Sequence, residues 1–160
     1  MIRSILSLLA LFSFVGLSVA STADPVDFDE APTVQLDADP VRFSVDVKVS
    51  GVEQIDFLAP AISFRSSDGV PIKASLLEDG VVTDESVFGD AQNEIHSIDL
   101  PVDLSSCEES CVFSYEVELA LTEADTKATV AVDSTFIIEA KDDSTDPQDL
   151  QDLVVITIDL

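Results

Sequence analysis

The chain has 160 residues, of which 32 are acidic and seven are basic, and its net charge at neutral pH is −25. This charge leaves no basic footprint for nucleic acid and is repelled by an anionic membrane surface. With one histidine, one tyrosine and no tryptophan, the composition also argues against blue copper, catalytic zinc and an aromatic carbohydrate site.

The first twenty residues have the pattern of a secretory signal. Arg3 supplies a positive charge, residues 5–19 form an uncharged apolar run, and 18–20 (Ser-Val-Ala) give the small-x-small pattern before a cleavage site. The run is too short for a comfortable transmembrane helix. We therefore predict a signal peptide over 1–20, a secreted or periplasmic protein, and no membrane insertion after cleavage. Loss of Arg3 leaves six basic residues against 32 acidic ones, a net charge of −26.

The remaining chain divides into a short lead and one domain. Residues 21–32 are acidic and contain Pro25 and Pro32, so the sequence predicts a flexible N-terminal lead. Residues 33–160 are long enough for a single domain with a sizeable core.

Apolar residues in this domain alternate with polar ones at the spacing of β-strands rather than helices. In 41–49, for example, valines and a phenylalanine alternate with Arg42, Ser44, Asp46 and Lys48. The predicted strands lie at 34–36, 41–49, 55–57, 62–64, 70–76, 98–104, 113–121, 130–138 and 154–160. Turn signals stand at 66–69, interpreted as a hairpin turn, and at 79–80. Asp146 before Pro147 predicts a capped helical turn.

Eight or nine short strands in one small domain predict an all-β fold, an antiparallel β-sandwich. An immunoglobulin-like Greek key is the favoured topology, and a jelly roll is the alternative. The Cys-Trp-Cys core of antibody domains is absent, because the chain has no tryptophan.

Cys107 and Cys111 are the only cysteines. In a secreted chain two such thiols are expected to form a disulfide. Cys111 is in phase with the core residues of its strand, whereas Cys107 is out of phase with the preceding strand. A bulge near 105–106 is therefore needed to bring the two side chains together.

His96 is the only histidine and falls in phase with Ile98 and Leu100. The favoured interpretation is a histidine at the rim of the core. The alternative is a general base oriented by a carboxylate such as Asp99. An ideal strand places Asp99 on the opposite face, and no nucleophile in a triad-like context accompanies His96.

Carboxylates are the one plentiful ligand. They cluster at residues 27, 29, 30, 37 and 39, and again at 142, 143, 146 and 149. Hard cations such as Ca²⁺ prefer several converging oxygen ligands, but no EF-hand-type loop is present. Solvated loops are the favoured interpretation, Ca²⁺ binding is the alternative, and no other cofactor is predicted.

The sequence is thus best interpreted as a secreted, acidic, non-enzymatic β-sandwich that acts as a structural or protein-interaction module. Its partner would be an unknown protein or another copy of itself. Two alternatives stand beside this hypothesis, a Ca²⁺-dependent adhesive or matrix subunit and a small secreted hydrolase that uses His96.

Overall fold

The computed structural model describes residues 21–160. The predicted signal peptide over 1–20 lies outside the described residues. Within this range, no helix is long and apolar enough to cross a membrane.

The described chain is built almost entirely from β-strands. In order they are β1 (Ser21–Asp24), β2 (Thr33–Leu36), β3 (Val41–Ser50), β4 (Ile55–Ser66), β5 (Ile72–Glu78), β6 (Val81–Phe88), β7 (Glu94–Asp99), β8 (Ser110–Leu121), β9 (Ala128–Ala140) and β10 (Val154–Asp159). A short helix, α1 (Pro147–Gln151), precedes β10, and single 3₁₀ turns occupy Val52–Gln54 and Leu104–Ser106.

The strands form two five-stranded antiparallel sheets. In sheet A, β4 lies between β7 and β9, and the outer side of β9 pairs with β1 over one stretch and β2 over another. Sheet B has the order β10-β3-β8-β5-β6. The two sheets pack face to face, which confirms the predicted antiparallel β-sandwich.

The core lies between the sheets and follows the alternation seen in the sequence. Val45, Val47 and Val49 of β3 are fully buried, as are Ile62 and Phe64 of β4. Each such side chain contributes about 1.5–3 kcal/mol relative to an exposed position. Period-two patterning therefore accounts for both the strands and the buried face.

Strand β4 is continuous where two strands were predicted, because it runs through Pro60. Pro60 lies opposite Leu100, one residue beyond the end of β7 at Asp99. The Leu100 N–H donates to the Pro60 carbonyl, so these two residues form a hydrogen-bonded pair of the ladder. The missing N–H of Pro60 therefore falls where the β7 ladder stops. Pro60 therefore interrupts the hydrogen bonding between β4 and β7 only at its end.

The turn at 66–69 is not a hairpin turn, so that prediction was wrong. It joins β4 in sheet A to β5 in sheet B, and these strands do not pair. The hairpin is instead the turn at 79–80 between β5 and β6, where Asp79 and Gly80 both have positive φ. Two central residues with positive φ match the twist of a tight hairpin.

Two further segments differ from the predicted strands. The strand expected at 98–104 is shifted, since β7 ends at Asp99 and Leu104 begins a 3₁₀ turn. Strand β6 was not predicted, because its polar centre, Asp84 to Ser86, interrupts the apolar alternation. The helical turn after Asp146 is confirmed, and the Asp146 carboxylate accepts a hydrogen bond from the Gln148 N–H at 2.8 Å.

The N-terminal segment predicted as a flexible lead pairs with the sandwich. After β1, residues 25–32, here called the N-terminal strap, cross the outer face of sheet A before β2. Phe28 in the strap is buried, with the Arg65 guanidinium 4.8 Å from its ring centroid. Asp27 donates its N–H to the Asp133 carboxylate at 2.7 Å. The apolar Phe28 ring, in a strap that is otherwise mostly polar, explains why this acidic segment packs against the sheet.

Candidate interaction edges of the sandwich

The disulfide is present as predicted. The Cys107 and Cys111 sulfur atoms are bonded, with the Cα atoms 5.6 Å apart. The bulge expected near 105–106 is not present, because β7 ends at Asp99 in sheet A and does not pair with β8; a 3₁₀ turn over Leu104–Ser106 precedes Cys107 instead. Asp103 caps this turn by accepting a hydrogen bond from the Ser105 N–H at 3.0 Å. The bond is compatible with an extracellular or periplasmic protein.

His96 lies at the rim of the core, between the two sheets. Its Nε2 is 2.6 Å from Oγ of Ser86, which projects inward from β6 of sheet B. The His96 ring stacks on Phe88 with centroids 5.2 Å apart, and Phe88 stacks on Phe64 at 5.5 Å. This hydrogen bond and the ring stack tie the edge of sheet A to the edge of sheet B.

A serine and a histidine within hydrogen-bond distance are one element of a hydrolytic site, but a carboxylate that orients the histidine is lacking in the described chain. Ser86 is the potential nucleophile that sequence reasoning missed, because its strand was not predicted. Asp99 points to the opposite face of β7, as the alternation indicates, and no carboxylate among residues 21–160 hydrogen-bonds His96. Five surface grooves, about 270 to 560 Å³ in volume, are lined by residues other than Ser86 and His96.

Tyr115 makes a second contact, between sheet B and the segment that follows β7. It is buried on β8 of sheet B, and its hydroxyl donates a hydrogen bond to the carbonyl of Pro101, just beyond the end of β7. Burial, with a smaller contribution from the nearby Glu78 carboxylate, raises the pKa of Tyr115 to about 12. We call β6 and β7, which are joined by the Ser86–His96 hydrogen bond and the stacking of His96 on Phe88, the closed side of the sandwich.

Strand β6 carries two features that hinder the addition of another strand. Its pairing with β5 is irregular between Leu76 and Leu77, which leaves Thr83 as an extra residue. Asp84 is paired with the buried Leu76, so the register places a charge on the inward face of this edge. Bulges and inward-pointing charges are the usual protections of an edge strand.

Both edges of sheet A are also protected. Strand β7 places His96 on its inward face and is tied to β6. On the opposite edge, β1 and β2 have four residues each and are separated by the strap with Pro25 and Pro32. Very short edge strands and prolines discourage pairing between sheets.

Strand β10 differs from these edges. Its register with β3 is regular throughout, and it contains no proline or bulge and no charge between Asp152 and Asp159. Val155 is 53% exposed on its outer face, and Ile156 and Ile158 on the inner face are only partly buried. Strand addition at β10 meets no obstacle of the kind seen at the other edges.

The main-chain groups of β10 that face away from β3 can be assigned from one hydrogen bond. Ser50 donates its N–H to the carbonyl of Leu153 at 2.9 Å, and these residues are directly opposed. In an antiparallel ladder every second residue bonds to the neighbour, so Val154, Ile156 and Ile158 direct their N–H and C=O groups outward. No other hydrogen bond within residues 21–160 reaches these groups. We call this side of β10 the open edge.

The acidic clusters do not converge on a cation site. Among residues 21–160, no three His, Cys, Asp or Glu side chains lie close enough together to hold a metal ion. Several of the carboxylates instead serve turns: Asp142 accepts from the Ser144 N–H, and Asp146 caps α1. Asp37 forms an ion pair with Lys127 at 2.8 Å, and this hydrogen bond lowers the pKa of the Asp37 carboxyl.

No protein-family model matches this chain, and no curated protein is significantly similar to it. The functional argument therefore rests on the edges and the side-chain geometry.

Proposed function

We propose that this chain is a secreted or periplasmic, non-enzymatic interaction module that binds an extended protein segment along the open edge. The supporting observation is the contrast among the sheet edges: β6, β7 and the β1–β2 edge carry features that hinder strand addition, whereas β10 carries none. An added strand would receive hydrogen bonds from Val154, Ile156 and Ile158. Strand addition of this kind takes its affinity from the main chain and its selectivity from alternate side chains.

The disulfide supports an oxidising compartment for this module, and the high negative charge supports its solubility there. The same charge makes neutral or basic segments the better partners, because acidic ones are repelled. Nucleic acid and anionic membranes are disfavoured partners for the same reason.

A photo-crosslinking amino acid tests the proposal at two matched positions. Val155 on β10 and Val87 on β6 are valines on the outer faces of edge strands, 53% and 56% exposed. We expect the residue at 155 to form covalent adducts in the secreted fraction of the producing cell, with the crosslink mapped by mass spectrometry to an extended segment. We expect few adducts from 87. Equal yields at both positions, or none at 155, would refute binding along β10.

A serine hydrolase is the second candidate function, supported by the 2.6 Å contact between Ser86 Oγ and His96 Nε2. A base within hydrogen-bond reach is the first requirement for an activated serine. A fluorophosphonate probe separates the two functions, since a hydrolase would be labelled at Ser86 and lose labelling in His96→Gln. The interaction module is expected to remain unlabelled.

A further inference from the structure

We propose that the segment bound at the open edge is the same strand of a second copy of this chain, so that two sheets B join through antiparallel β10 strands. This inference rests on the proposed function, because it names the partner of the same edge. It follows from three properties of β10: which groups are free, which side chains face which way, and where the charges lie.

The free main-chain groups are self-complementary. In an antiparallel pair centred on Ile156, Val154 of one copy lies opposite Ile158 of the other, and Ile156 lies opposite itself. All of these residues direct their N–H and C=O groups toward the open edge. Each directly opposed pair exchanges two hydrogen bonds, which gives about six bonds across the joint.

The side chains match in the same register. Val154, Ile156 and Ile158 share the inward face, so the partly buried isoleucines of each copy gain apolar neighbours from the other. On the outer face Val155 lies opposite Thr157. Cross-strand pairs of β-branched residues stabilise a sheet by a few tenths of a kcal/mol to about 1 kcal/mol each.

The local charges do not oppose a second copy at this edge, whereas they do at β6. The five residues Val154–Ile158 are uncharged, and the register places Asp159 opposite Leu153 rather than opposite another carboxylate. Self-pairing of β6 about its centre would place Asp84 and Glu85 against the same acids of the second copy. Directly opposed like charges are destabilising.

The overall charge of the two copies opposes the joint, with a consequence that can be measured. Repulsion between two strongly negative molecules is screened by salt, over a length of about 10 Å at 0.1 M and about 3 Å at 1 M. Dimer formation should therefore strengthen as monovalent salt is raised.

Sedimentation equilibrium on the processed chain with charge-exchange variants tests this inference. The wild type is expected to dimerise, and more tightly at 1 M than at 0.1 M salt. The double variants V155K/T157K and V155E/T157E each place like charges opposite one another, and each should weaken the dimer at least about tenfold. An equimolar mixture places lysine opposite glutamate and should restore association as a heterodimer. Because Val155 and Thr157 are exposed, the unfolding midpoint of each variant should stay close to that of the wild type.

Val87→Glu on β6 is the control, since it alters an equally exposed valine opposite Lys73 and should leave association unchanged. A monomeric wild type at every salt concentration, or a dimer that the β10 variants do not affect, would overturn the inference. If the wild type is monomeric but position 155 still crosslinks to another protein, self-pairing is wrong and the proposed function stands. If neither association nor adducts are found, both are wrong.

Discussion

The closed side and the open edge belong to the same sandwich, but they differ in how exposed their edge strands are to the addition of another strand. On the closed side, Ser86 of β6 points inward and bonds to His96 of β7 in the facing sheet. At the open edge, the inward residues are apolar and the outward main-chain groups have no partner within the described chain. The two edges therefore differ in their side chains: β6 and β7 are bonded to each other across the sandwich, whereas no side chain of β10 makes such a bond within residues 21–160.

Removal of the open edge has the largest expected effect. Deleting residues 153–160 strips β3 of its neighbour, exposes Val45, Val47 and Val49 along a new edge, and removes Val154 from the core. We expect the truncated chain to aggregate and to bind a hydrophobic dye. The single substitution Thr157→Lys, at an exposed site, is the control and should remain soluble. A truncated chain that stays monomeric with an unchanged melting temperature would show that β10 is dispensable for the fold.

High pH should lower the free energy of unfolding through the titration of Tyr115. Its pKa is raised from 10.0 to about 12 in the folded state, so the folded chain holds this proton more tightly than the unfolded chain. The stabilisation is fully present below about pH 10 and is lost as the pH rises through about 12, up to roughly 3 kcal/mol. Because Tyr115 is the only tyrosine and the chain has no tryptophan, absorbance of the tyrosinate reports its titration directly.

The control for this titration is the same chain in denaturant, where the midpoint should fall to about 10. Tyr115→Phe should remove this contribution to the alkaline loss of stability. A folded-state midpoint near 10 would mean that Tyr115 is not buried as the structure describes.

A smaller effect is expected from the hydrogen bond between Ser86 and His96. Ser86→Ala removes the hydroxyl that bonds to His96 and should lower the free energy of unfolding by about 1 kcal/mol, measured by chemical denaturation. Ser44→Ala, at an exposed position on β3, should change it by much less. If the two variants are equally stable, the Ser86–His96 contact does not contribute to holding the closed side together. Neither substitution should alter association through β10.

The sequence predicted the sandwich well where one face of a strand is apolar without interruption. Strands β3, β8 and β10 follow the alternation closely, because apolar residues occupy their inward positions throughout. Strand β6 was not predicted because Asp84, which the register places on the inward face, and the extra residue Thr83 break the period of two. The same two features protect it as an edge strand. The features that distinguish one edge from another are thus departures from the pattern, and they carry little signal in a single sequence.

The Ser86–His96 pair shows the same limit. His96 was correctly expected at the rim of the core, and Asp99 on the other face, since both follow from local alternation. Its partner comes from the opposite sheet, and that juxtaposition depends on the turn at 89–93 and on how the sheets pack. The N-terminal strap also escaped prediction, because the single buried ring of Phe28 outweighs a mostly polar composition.

The N-terminal strap has a consequence for the order of folding. Strands β1 and β2, on either side of it, pair only with β9, which lies near the other end of the described residues. These two strands can therefore pair only after β9 is available. Closing so long a loop is costly in entropy before any contact rewards it, and such non-local pairing slows folding. Until β9 has formed, β1 and β2 lack the strand with which they pair. We therefore expect β1, the N-terminal strap and β2 to dock late in folding, after β9 has paired with β4.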